Sequence, residues 1–141
     1  MLFRSLTTTR SPHSIPFDQL LAESDFLVIA APATPETRGR FDRRAFAAMK
    51  PGSVLVNISR ASIVDDDAFL EALDSGRLAG AAVDVFATEP PPADHRLLHH
   101  PKVLMSPHVA WGTEDAVQRL VDLSIDNVEA FLSGRPIHVV G

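Results

Sequence analysis

Arg60, Glu89 and His108 are the residues of this sequence whose types and placement could together do chemistry. Each follows or closes a different apolar run: Arg60 comes after SVLVNIS, Glu89 after AGAAVDVF, and His108 ends KVLMSPH. A guanidinium can hold an anion through paired N–H donors, an imidazole can move a proton near neutral pH, and a carboxylate can orient that imidazole. Taken singly, each has a structural alternative. Arg60 could cap a helix or pair with Asp65, Glu89 before Pro90 could be a solvated turn acid, and His108 after Pro107 could be a satisfied loop histidine. Their joint position favours anion binding coupled to proton transfer.

Three such groups meet only if the runs form one sheet. FLVIAAP, SVLVNIS, AGAAVDVF and KVLMSPH are continuous apolar stretches, the pattern expected of strands buried on both faces. PFDQLLAES, FDRRAFAAMKPG and VDDDAFLEALDSG read as helices; the last two carry acids early and end near Gly. Alternating strands and helices predict an α/β fold, a parallel sheet joined by right-handed crossovers and flanked by helices. Ligands of such sheets bind outside the carboxyl ends of the strands, where Pro32, Ser59, Arg60, Asp84, Glu89 and His108 fall.

The last two strands are joined by ATEPPPADHRLLHHP, with room for one helical turn at HRLLHH. A metal site at His95, His99 and His100 is disfavoured, since a short HRLLHH turn is more often a surface loop. From Thr113 a long amphipathic helix is expected, ended by Ser133-Gly134 and followed by IHVVG as an extended edge. The start, MLFRSLTTTR, reads as a short strand before a turn in preference to a transit segment.

Composition bounds the partners. The 141 residues are 45% hydrophobic, enough for one domain with a real core. With 13 basic and 18 acidic residues and a net charge of -5, the chain has no electrostatic footprint for nucleic acid. It has no cysteine and no apolar run of membrane-spanning length, so the expectation is a cytoplasmic protein with no membrane partner and no thiolate metal site.

SDFLVIAAPATPETRGRF, MKPGSVLVNISRASIVDDDAFLEAL, SGRLAGAAVDVFATEP and SPHVAWGTEDA together resemble the D-isomer-specific 2-hydroxyacid dehydrogenases, from about residue 17 to about residue 136. The resemblance implies a Rossmann-like domain and hydride transfer between NAD or NADP and a small 2-keto acid such as glyoxylate or hydroxypyruvate. It implies Arg60 as the substrate-binding cation, His108 as the proton donor and Glu89 as its orienting partner. Asp84 would hold the nicotinamide carboxamide, and Pro32 and Ser59 would line the cofactor. Arg10, with Thr9 and Ser11, would meet the adenosine ribose, a cation and hydroxyls suited to the 2′-phosphate of NADP, with a plain surface turn as the alternative for Arg10. A homodimer is implied for the complete enzyme.

Two departures qualify the resemblance. The family commonly has Gly after its arginine where this chain has Ala61, which would be strained if the position needs positive φ. No G-x-G-x-x-G occurs, so residues 1–141 are expected to be part of an NAD(P)-binding domain, an incomplete doubly wound sheet without the glycine-rich turn or a substrate domain, and inactive alone. A cofactor-sensing, corepressor-like binding module and a fragment without independent function are the alternatives. Trp111 is read equally as a pocket wall or as packing on the long helix.

Overall fold

A computed structural model describes residues 14–139. Arg10, with Thr9 and Ser11, lies outside the described residues, as does the strand expected in MLFRSLTTTR. The described residues divide into two compact units, the first ending at His108 and the second starting at Val109.

In the first unit, helix α1 (Phe17–Glu23) leads into strand β1 (Phe26–Ile29), and α2 (Arg43–Ala48) leads into β2 (Ser53–Asn57). A 3-10 turn (Ala61–Ile63) and α3 (Asp66–Asp74) precede β3 (Leu78–Val83), and a second 3-10 turn (Arg96–His99) precedes β4 (Val103–Met105). The helices start where the sequence supplies caps. Asp42 accepts from the Ala45 N–H and Asp65 from the Ala68 N–H, both at 2.8 Å, with Asp66 and Asp67 favouring the positive end of α3. Gly76, at φ 75, lets the chain leave α3 through a left-handed turn.

The four strands are parallel in the order β1-β2-β3-β4. Leu27, Ile29, Leu55, Ala81, Val83 and Val103 point into a core shared with Leu21 of α1, Phe46 of α2, and Phe69 and Leu73 of α3. The opposite face differs from the expectation of strands buried on both sides. Val28, Val56, Ala82 and Leu104 form one row across all four strands, and Val28 and Leu104 are 55% and 76% exposed. The reason is layer count: among the described residues of this unit, α1–α3 form a single helical layer, packed on the other face.

The second unit contains α4 (Glu114–Leu132), capped by the Thr113 hydroxyl, which accepts from the Ala116 N–H at 3.2 Å. The extended edge expected in IHVVG does not form over residues 137–139, where His138 takes a left-handed backbone at φ 54. Trp111 lies in this unit and is exposed.

Candidate active site

The carboxyl ends of the four parallel strands form one rim, and the residues on it are built from the strand ends outward. After β2, the Asn57 side chain turns the chain: its Oδ1 accepts from the Ser59 N–H and its Nδ2 donates to the Arg60 carbonyl, each at 3.1 Å. The following segment is pinned to the chain between β1 and α2, where Gly39 N–H donates to the Ser62 carbonyl at 2.9 Å and Phe41 N–H to the Ile63 carbonyl at 3.1 Å. Arg60 is extended, at φ -144 and ψ 142, and Ala61 takes no positive φ, so alanine there carries no backbone strain.

Arg60 is exposed, and one guanidinium nitrogen donates to the Ser59 carbonyl at 2.7 Å. Arg43, Arg44 and Arg96 each face a carboxylate, whereas no ion pair among the described residues includes Arg60. With no close ion pair, its guanidinium is open to an external anion.

His108 and Glu89 meet directly. Nδ1 of the imidazole lies 2.7 Å from Glu89 Oε2, and Oε1 of the same carboxylate accepts from the Phe86 N–H at 2.9 Å. These two hydrogen bonds, His108 first, hold the Glu89 carboxyl below the usual carboxylate range, with the Arg60 charge adding to the effect. Glu89 is thus ionised at neutral pH and accepts only, which puts a proton on Nδ1. His108 is also a non-glycine residue at φ 56, a conformation that costs about 1–3 kcal/mol and persists where surroundings enforce it.

Asp84, 3% exposed, follows β3 and accepts from the Ser106 hydroxyl at 2.5 Å. Asp84, Glu89, Met105, Ser106, Pro107 and His108 line a cavity of about 460 Å³ whose other walls are largely apolar. Arg60, Ser59 and Pro32 lie outside that lining. The Ser59 hydroxyl donates to the Ala31 carbonyl, and the Pro32 carbonyl accepts from the Thr37 hydroxyl at 2.8 Å, so both brace the loop after β1.

The three histidines of the HRLLHH turn have local structural partners. His95 Nδ1 accepts from the Leu97 N–H, His99 Nε2 reaches the Ala93 carbonyl, and His100 bridges Asp74 and the Lys102 N–H. Among the described residues no group of three or more His, Cys, Asp or Glu is arranged to hold a metal ion. Sequence reading missed Asn57, Ser106 and the Phe86 amide. Asn57 had a signal, a polar residue at an inward position of an apolar strand, whereas the Phe86 contact had none, being a backbone group met only after folding.

Comparison with known proteins places the chain in a family. The sequence model of a family described as "D-isomer specific 2-hydroxyacid dehydrogenase, NAD binding domain" matches residues 5–110. The chain is 45% identical over 117 residues to a glyoxylate/hydroxypyruvate reductase B of Pectobacterium carotovorum subsp. carotovorum, covering 83% of this chain and 37% of that protein. It is 36% identical over 126 residues to a hydroxypyruvate reductase of Blautia hydrogenotrophica, covering 89% and 39%. Among solved structures, a D-isomer-specific 2-hydroxyacid dehydrogenase from Xanthobacter autotrophicus Py2, in complex with NADPH and MES, superimposes with a TM-score of 0.77 at 32% identity, covering 86% of this chain and 50% of that one. The chain spans about two fifths of the length of the curated relatives it matches.

Proposed function

Since this chain belongs to the D-isomer-specific 2-hydroxyacid dehydrogenase family through its NAD-binding domain, we propose that it carries the catalytic groups of a reductase that converts a small 2-keto acid, of the glyoxylate or hydroxypyruvate kind, into the 2-hydroxy acid. One observation carries the reading: an exposed arginine, in no ion pair among the described residues, shares a strand-end rim with a hydrogen-bonded Glu89–His108 pair whose carboxylate feels its charge.

The residues present fit the nicotinamide end of the cofactor. A carboxamide needs a hydrogen-bond acceptor and its ring an apolar wall, and the cavity offers the Asp84 carboxylate beside Met105 and three prolines. Asp84 would hold the carboxamide, and Pro32 and Ser59 would shape the adjoining edge. When bound, reduced nicotinamide supplies the hydride that adds to the keto carbon.

The protein's own groups do the rest. Arg60 holds the substrate carboxylate and the neighbouring carbonyl oxygen in one plane and favours the negative charge that grows on that oxygen. His108 gives that oxygen a proton from Nε2, because Glu89 occupies Nδ1 and fixes the ring orientation. The product is the neutral hydroxyl beside an unchanged carboxylate.

The 2′-phosphate preference assigned to Arg10, the homodimer of the complete enzyme and a cytoplasmic setting, where reduced nicotinamide is replenished, are parts of the same proposal. None of the described helices is long and apolar enough to cross a membrane. The 141 residues contain no glycine-rich turn to seat a pyrophosphate, so the chain alone is proposed to turn over little keto acid.

The test is a chimera in which this chain replaces the matching segment of the Pectobacterium reductase. It should reduce glyoxylate or hydroxypyruvate, and Arg60→Lys should lower kcat/KM by about 10²-fold or more, since an ammonium cannot make the planar two-point contact. Full activity in the Arg60→Lys chimera would sink the assignment.

A further inference from the structure

Asn57 ends β2 with a buried side chain, 3% exposed, at an inward position that an aliphatic residue would fill if packing alone mattered. Its amide spans the turn that carries Arg60, accepting from Ser59 N–H and donating to the Arg60 carbonyl. Its own carbonyl accepts from the Asp84 N–H at 3.0 Å, so the same residue is tied to the end of β3.

We infer that Asn57 is a positioning residue for the keto acid: it presents Arg60 at the rim and, because it is neutral, leaves the guanidinium charge for the substrate carboxylate. The inference rests on the reading of Arg60 proposed above and adds a residue outside the Arg60, Glu89 and His108 set.

Two physical requirements select an amide. The turn needs an acceptor facing Ser59 N–H and a donor facing the Arg60 carbonyl, and a short amide supplies both at neutral pH. The second requirement is absence of charge. Aspartate has the same shape, but it would leave the Arg60 carbonyl without its donor and add a buried carboxylate to a strand-end region that already holds Asp84. It would also add a second internal negative charge beside Arg60, on the same turn, to the one that Arg60 already feels from Glu89, and a substrate would have to compete with both. Asn57 therefore acts through Arg60 and does not touch the reacting atoms.

The experiment uses the ¹⁵N-labelled 141-residue chain, with the Arg60 Nε–Hε resonance assigned by its loss in Arg60→Lys, and glyoxylate as the probe. In the wild type that resonance is expected to show an ordered side chain and to shift on titration. Asn57→Asp should move the resonance before any glyoxylate is added and weaken glyoxylate binding by at least about tenfold at neutral pH. Binding should recover on acidification, because a protonated carboxyl offers the donor and acceptor of the lost amide. Asn57→Ser, neutral but too short to span the turn, should loosen the Arg60 side chain and weaken binding with no acid recovery. It keeps the question open to refutation if the aspartate variant fails to fold.

Wild-type affinity and an unmoved Arg60 resonance in the variants would overturn the role of Asn57 while leaving the proposed function standing. A wild-type Arg60 resonance indifferent to glyoxylate would instead overturn the proposed function, and this inference with it.

Discussion

Glu89 grips His108 from the far side of the imidazole, with Oε2 2.7 Å from Nδ1 and Oε1 anchored on the Phe86 N–H. The carboxylate is thus held by its own turn and holds a histidine nineteen positions later. A ring fixed at one nitrogen can deliver a proton from the other in a constant direction, which is the condition for general acid catalysis.

Replacing Glu89 by Gln keeps the side-chain length and removes the charge. In the chimeric enzyme kcat should fall by about 10²-fold, with KM for the keto acid changing much less, since substrate binding is assigned to Arg60. Initial rates across a keto-acid series separate the two constants. A pure KM effect would argue that Glu89 belongs to substrate binding.

Glu89 also predicts a pH dependence of stability. Its carboxyl is held below the usual range in the folded chain by His108, the Phe86 N–H and the Arg60 charge. The stabilisation is therefore fully present above the ordinary carboxylate value and is lost as pH falls through the depressed native value. The urea midpoint of wild type should exceed that of Glu89→Gln at neutral pH, and the gap should close as pH falls through the range below the ordinary carboxylate value. A gap that widened on acidification would contradict this.

Phe69 is fully buried and stacks on Phe46, ring centroids 5.8 Å apart at 14°. Phe69→Ala should cost about 3–5 kcal/mol by denaturant unfolding, because both the transfer energy and a cavity are at stake. Phe26, 68% exposed on the uncovered sheet face, provides the contrast, and Phe26→Ala should change stability by about 0.5 kcal/mol or less. Similar losses at both positions would show that the outer face is buried in solution.

Asp65 caps the helix that follows the Arg60 turn. Asp65→Ala should destabilise the chain by about 1 kcal/mol, and Asp65→Asn, which retains a capping oxygen, should recover most of it. Thermal melts of the two variants check this, and equal losses would assign the effect to charge instead of capping.

The strand and helix order was legible because each apolar run is bounded by Gly, Pro or a capping acid, and the spacing between runs suits crossover helices. Face coverage was not. A continuous run such as FLVI has no polar member to mark an open side, so Val28 and Ile29 look alike in sequence, yet one is 55% exposed and the other 4%. Ala61 likewise raised a doubt about φ that only its place in a 3-10 turn answered.

The sequence by itself determined which residues reach the rim. A parallel strand exposes the residues after its last apolar position, so Arg60, Asp84 and His108 follow from chain order alone. Only the tertiary structure decided which of them touch. Glu89 meets His108 through a side-chain rotamer and a turn, Ser106 meets Asp84 across two strands, and Asn57 reaches around the peptide that carries Arg60. Those contacts depend on separations of a few ångströms between chain segments, and local residue preferences carry no record of that distance.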